Sequence, residues 1–355
     1  MPELTPETIF TFTKFSVYLI MSWPSENETT KNGNIIFNIK WWILWMNSIL
    51  FIAFCVYGAY GDRQDVLSCT EILFIITAVI QYPIKMLICR IIREQMQFVV
   101  NEMECHIHSA EPSKRIILSN YLKKPGVVYV LYHFVACLGF LGMVLAAFIL
   151  QEPLPVKIRY PFSIDTRLVF IFVYFQQFIF GIQAITTTSI DSQIALMLWY
   201  VVARLRILQE QMRKISNMYE FRKCIQQHQY ILRLADEVIS VGKYILATTV
   251  VMSTLSLILG AILIVKAHQM TVRLKFSINV VTVSATLFMS AWPSEMLISS
   301  VSSATNYYIR KILWNITRQI IFSNIFSQES NKLALCLHQI LIIVVLQINI
   351  YLLDE

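Results

Sequence analysis

Few residues in this chain are of types that do chemistry, and those few stand apart from one another. His133 and His338 are lone histidines inside apolar runs, and the three or four ligands of a metal site are not assembled around either. Seven cysteines, from Cys55 to Cys336, are scattered without a CxxC pair, so neither a zinc site nor a disulfide framework is expected. GxSxG, HExxH, P-loop and paired-carboxylate patterns are missing; no enzyme activity and no cofactor is predicted. Asp191 is the most conspicuous acid. An ionisable group at membrane depth is a functional candidate by default. Its register, however, places it near the end of a long apolar run, where a solvated or arginine-paired carboxylate is an ordinary structural feature.

Gln347 lies in the last apolar run. Spacings of three and four put Val344, Gln347 and Ile348 on one helix face. A ring of such faces from several subunits would make an apolar constriction with an amide beside it, able to gate by dewetting. The other reading, favoured by composition alone, is a hydrogen bond from Gln347 to a neighbouring helix. Trp292-Pro293 predicts a kink, because proline deletes one backbone hydrogen bond.

The elements that carry these residues follow from composition. Hydrophobic residues are 56% of the 355 positions and charged residues 14%, whereas a soluble domain carries about 25% charge. The deficit points to a lipid-solvated chain. A spanning helix needs about 20 apolar residues, and seven segments qualify: 38–60, 67–89, 125–150, 168–199, 244–265, 276–298 and 333–353. The fold class is therefore an all-α membrane protein with seven transmembrane helices. Glu71 and Lys85 lie near opposite ends of the second segment, where long side chains can reach the headgroups. The fourth segment is too long to be only a span and is predicted to continue out of the bilayer through Trp199 and Arg204.

Charge fixes the expected orientation. Of 29 Lys and Arg, 21 fall in the N-terminal tail and in 90–124, 200–243 and 299–332, against 7 in the alternate connections. By the positive-inside rule the N-terminus is cytoplasmic and the C-terminus extracellular. This also disposes of nucleic acid as the reason for the net charge of +7. The expected organisation is a cytoplasmic segment 1–37, six spans within 38–298, a cytoplasmic segment 299–332 and a last span 333–353. No signal peptide is apparent, so the first span is expected to target the chain to the lipid bilayer. Segment 200–243 repeats apolar residues at three and four and reads as helix. Its apolar face needs a partner, either another subunit or a neighbouring helix. Asn27 and Asn315 head glycosylation sequons on the cytoplasmic side and are expected to stay unmodified.

Three passages resemble insect odorant receptors, particularly the hymenopteran type. They are FTKFSVYLIMSWPSENETTKNGNIIFNIKWWILW before and into the first span, IRYPFSID (158–165) leading to FQQFIFG and IDSQIALMLWY, and LFMSAWPSEMLISSVSS at the end of the sixth span. The resemblance covers roughly residues 12–305. After about residue 306 the sequence departs from the family's pattern, although VVLQ is similar to its pore helices. The resemblance implies an odorant-gated cation channel subunit, assembling with an obligate co-receptor as a heterotetramer in the plasma membrane of olfactory sensory neurons. It also implies a last span that lines the pore through Val344, Gln347 and Ile348.

The resemblance further implies a site for small volatile ligands in the outer half of the bundle. Thr77, Ile80, Met143, Phe172, Phe175, Gln176 and Phe288 occupy the matching stretches. Phe172, Phe175 and Gln176 share a helix face by spacing, and phenylalanine and methionine suit shape-tolerant binding. Ordinary helix packing is the competing reading for each residue. A gustatory receptor of the same architecture is the nearest alternative. A G-protein-coupled receptor needs the opposite charge bias, and a secondary transporter would show paired broken helices.

Overall fold

The computed structural model describes residues 31–326, apart from 150–153, 155, 157, 216 and 267–269. All regular structure there is helical: α1 (Lys31–Gly61), α2 (Val66–Ile91), α3 (Arg93–Ser109), α4 (Pro112–Ile149), α5 (Arg167–Arg213), α6 (Met218–Lys266) and α7 (Met270–Phe326). The chain divides into two units, residues 1–298 and 299–355. Of the second, the described part is helical to Phe326.

Among the described residues, five stretches are long and apolar enough to cross a membrane: Ile35–Gly61, Val66–Ile91, Arg167–Arg213, Tyr219–Lys266 and Phe276–Ala304. The predicted third span lies almost wholly within α4. The predicted last span, 333–353, falls outside the described residues. The surface agrees with a lipid solvent. Ile43, Leu131, Phe134, Leu145, Ile258 and Val281 are exposed along different helices, more apolar surface than a water-soluble monomer leaves bare.

Local chemistry explains the helix boundaries. Asp65 caps α2: its carboxylate accepts from the Leu67 N–H at 3.0 Å and from the Ser68 hydroxyl at 2.7 Å, covering donors the first turn cannot satisfy itself. α5 continues past the predicted span to Arg213 without a break, as its apolar length demanded. Residues 189–203 of α5 are buried on every side, which makes this stretch the central pillar of the bundle at that level.

The half of the bundle next to the α4–α5 connection has its own core. Phe51 and Cys55 of α1, Ile72 and Val79 of α2, and Val173 and Phe180 of α5 pack with Leu154, Ile158 and Tyr160 of the α4–α5 connection. The Phe51 and Phe180 rings stack at 4.3 Å. Gln177 ties that connection down: its amide exchanges two 3.0 Å hydrogen bonds with the backbone of Val156 and donates to the Tyr160 hydroxyl at 2.9 Å. The tyrosine of IRYPFSID is thus a buried anchor. Phe54 packs edge-on against Tyr160 and Phe162.

Candidate ligand site and the polar interior

The candidate ligand residues are set on α2, α4, α5 and α7. Thr77 on α2 is half-buried. Its hydroxyl donates to the Phe74 carbonyl at 2.8 Å, so its single proton is used and the 2.7 Å contact with Ser256 of α6 has Ser256 as donor. Ile80 follows one turn below and is also half-buried. Met143 lies in α4, with its side chain outside the described set.

The three α5 residues do not share an environment. Gln176 is 2% exposed, and neither amide atom has a hydrogen-bond partner among the described residues. Phe172 and Phe175 are more than half exposed on the flanks of the same helix. The one-face expectation does not give one environment: Phe172, one turn before Gln176, and Phe175, about 100° round the helix from it, both stay exposed. Phe288 is also exposed and stacks on Trp292 at 6.0 Å, while Trp292 meets Trp199 of α5 edge-on at 5.0 Å. Val344, Gln347 and Ile348 lie outside the described residues.

Pro293 creates a second feature of this region. It has no N–H, so the carbonyl four residues earlier, at Met289, loses its helical partner. The Tyr129 hydroxyl of α4 donates to that carbonyl at 2.9 Å. His133, one turn on from Tyr129, completes the contact between α4 and α5. Its Nδ1 lies 2.8 Å from the Tyr129 carbonyl, which can only accept, so Nδ1 carries the proton. Nε2 is then the acceptor for the Ser189 hydroxyl at 2.9 Å.

Deeper in the bundle the structure corrects the expectation for two charges. Lys85 does not reach for headgroups. It is fully buried, and its ammonium lies 2.8 Å from both Asp191 oxygens. Asp191 is likewise buried rather than interfacial, and the Thr249 hydroxyl of α6 donates to it at 3.0 Å. A lone charge in this setting would be prohibitively costly, whereas a hydrogen-bonded pair is tolerated. One sequence signal was available: Lys85 and Asp191 are opposite charges at comparable depth in separate apolar runs. Another buried knot sits nearby, where Gln183 donates to the Leu44 carbonyl at 3.1 Å and accepts from the Ser48 hydroxyl at 3.1 Å.

Beyond the apolar zone, Arg204 of α5 pairs with Glu102 of α3 at 3.3 Å and donates to the Tyr200 hydroxyl at 2.9 Å. Tyr230 of α6 offers its ring to the same guanidinium at 5.6 Å. Burial, with the Arg204 charge second, pushes the neighbouring His106 down to about 4.

Long apolar helices packed around a polar interior are the architecture of a multi-pass membrane protein. The family model described as 7tm Odorant receptor matches residues 65–308, and the chain belongs to that family. The fold is similar to the structure of the insect olfactory receptor OR5 from Machilis hrabei, with a TM-score of 0.66, 14% identity, and 85% of this chain and 80% of that one covered. It is also similar to the same receptor in complex with eugenol, with a TM-score of 0.69, 12% identity, and coverage of 85% and 89%. A search of curated protein sequences returns no match.

Proposed function

We propose that this chain is the odorant-binding subunit of an odorant-gated cation channel that opens together with a co-receptor subunit. Its place is the plasma membrane of olfactory sensory neurons, with the N-terminus in the cytoplasm. Residues 1–37 and 299–332 are cytoplasmic segments, residues 38–298 hold six spans, and the last span, 333–353, lines the pore with Val344, Gln347 and Ile348. Family membership supports the receptor role, and the charge bias of the connections supports the orientation. The complex of the Machilis receptor with eugenol supports a small, largely apolar ligand.

The observation that carries the ligand assignment is Gln176. A buried amide without a partner costs about 1–3 kcal/mol, and an odorant hydroxyl or carbonyl would satisfy it. Thr77, Ile80, Met143, Phe172, Phe175 and Phe288 complete the proposed site, the exposed Phe172, Phe175 and Phe288 bordering it rather than enclosing Gln176.

The test has two stages. Epitope tags at the N-terminus and after Tyr60 are stained on intact and permeabilised cells; an N-terminal tag visible on intact cells defeats the proposed topology. The chain is then co-expressed with a co-receptor and currents are recorded across an odorant panel. Gln176→Leu is expected to reduce sensitivity to alcohols and carbonyl compounds about tenfold relative to hydrocarbons of the same size. An equal effect on both classes removes Gln176 from the site.

A further inference from the structure

The ends of α1 and α2 that lie beside α3 carry an arginine fixed on an indole. The Arg90 guanidinium carbon sits 4.3 Å from the Trp41 ring centre and 6.0 Å from that of Trp42. Its Nη2 donates to the Asn38 side-chain oxygen at 3.1 Å. Trp41 is buried, while Trp42 and Arg90 are exposed. Trp45 stacks with Trp41 at 6.1 Å and anchors the group by donating its indole N–H to the Pro83 carbonyl at 3.3 Å. One turn beyond Arg90, the Arg93 guanidinium lies 5.3 Å over Phe37.

This geometry leaves much of Arg90 unused. A guanidinium has five N–H donors in a fixed plane and no acceptor. Asn38 takes one of them, and Arg90 makes no ion pair with a carboxylate among the described residues. Glu94, four residues on, is exposed and does not pair with it. The ring contact with Trp41 also restrains the side chain from swinging freely into water. Trp42 presents an exposed apolar ring next to the charge, as residues at the membrane–water boundary do. The complementary group must be anionic, rich in oxygen acceptors and joined to apolar chains. Guanidinium planes bind phosphate oxygens two at a time. A zwitterionic headgroup would bring its own ammonium toward two arginines.

We propose that Asn38, Trp41, Trp42, Arg90 and Arg93 form a headgroup site for an anionic phospholipid. On the topology proposed above this is the cytoplasmic leaflet, whose anionic lipids attract basic residues at the ends of spans. The inference rests on the membrane fold and not on odorant binding.

The test uses the full-length protein purified in detergent and titrated with phosphatidylglycerol or phosphatidylcholine, with retained lipid counted by native mass spectrometry. The wild type is expected to retain phosphatidylglycerol preferentially. Arg90→Gln/Arg93→Gln should weaken retention about fivefold for each arginine removed, while Lys214→Gln, an exposed cation elsewhere, should change nothing. Equal retention of the two lipids, or equal losses in both variants, overturns the proposal. Displacement of the lipid by inorganic phosphate would mark a site for a soluble anion and overturns it as well. If the double variant does not fold, Trp42→Ala, which trims an exposed ring, must still reduce retention; unchanged retention there overturns the proposal too. A silent receptor in the odorant assay leaves each of these readouts intact.

Discussion

Lys85 and Asp191, 106 residues apart in sequence, meet inside the bundle with the ammonium 2.8 Å from both carboxylate oxygens and with side chains 0% and 9% exposed. With Thr249 they join α2, α5 and α6 at one depth. The Thr77–Ser256 contact forms a second polar rung between α2 and α6, about two turns nearer the N-terminus of α2. Removing one partner strands a buried charge, at a cost of about 3–5 kcal/mol. Lys85→Met and Asp191→Leu are each expected to depress surface expression and the melting temperature in detergent. The double variant should recover most of the loss, because no charge is then stranded. A double variant as unstable as the sum of the singles would show that the pair does not act as a unit.

Tyr129 is expected to matter because of Pro293. Tyr129→Phe leaves the Met289 carbonyl with no donor, costing about 1–3 kcal/mol for a buried acceptor. Pro293→Ala restores an N–H to the helix, so Tyr129→Phe in that background should cost much less. Thermal melts of the four proteins in this cycle measure the coupling. Equal losses in both backgrounds would remove the tyrosine–carbonyl contact from the account.

The Gly181 backbone closely approaches the Phe140 ring: a Cβ built at Gly181 would overlap it. The α4–α5 contact at this level therefore depends on the missing side chain. Gly181→Val should destabilise by about 1–3 kcal/mol through overpacking, and Phe140→Ala should relieve part of it. Melting temperatures no lower than wild type for Gly181→Val would refute the close approach.

His106 predicts a stability change on the acid side. Its folded value lies near 4 against an ordinary 6.5, mainly because burial disfavours the charged ring, with the Arg204 charge adding to this and Glu102 opposing it. Above 6.5 both folded and unfolded chains hold a neutral ring and nothing is gained or lost. As pH falls from about 6.5 to 4 the unfolded chain takes up the proton first, so stability declines across that window. Melts of the wild type and His106→Asn between pH 7.5 and 4.5 check this. The variant should show a shallower decline, and identical slopes would exclude His106 as the source.

What the sequence determined by itself is the partition of the chain between lipid and water. Transfer free energy adds up along a helix, so apolar segments, their lengths and the long fifth helix are legible one stretch at a time. So was the receptor family, through passages such as IRYPFSID and the AWP helix end, and residues 65–308 match that family. The tertiary structure decided which residues meet. Lys85 read as an interfacial charge because nothing local reveals a partner on another helix, yet α5 brings Asp191 to it. Gln176 and Phe175 are neighbours in sequence, and only the packing of α5 against the bundle turned one inward and left the other facing out. Side-chain partnership is a property of several helices at once, whereas hydropathy belongs to each helix alone.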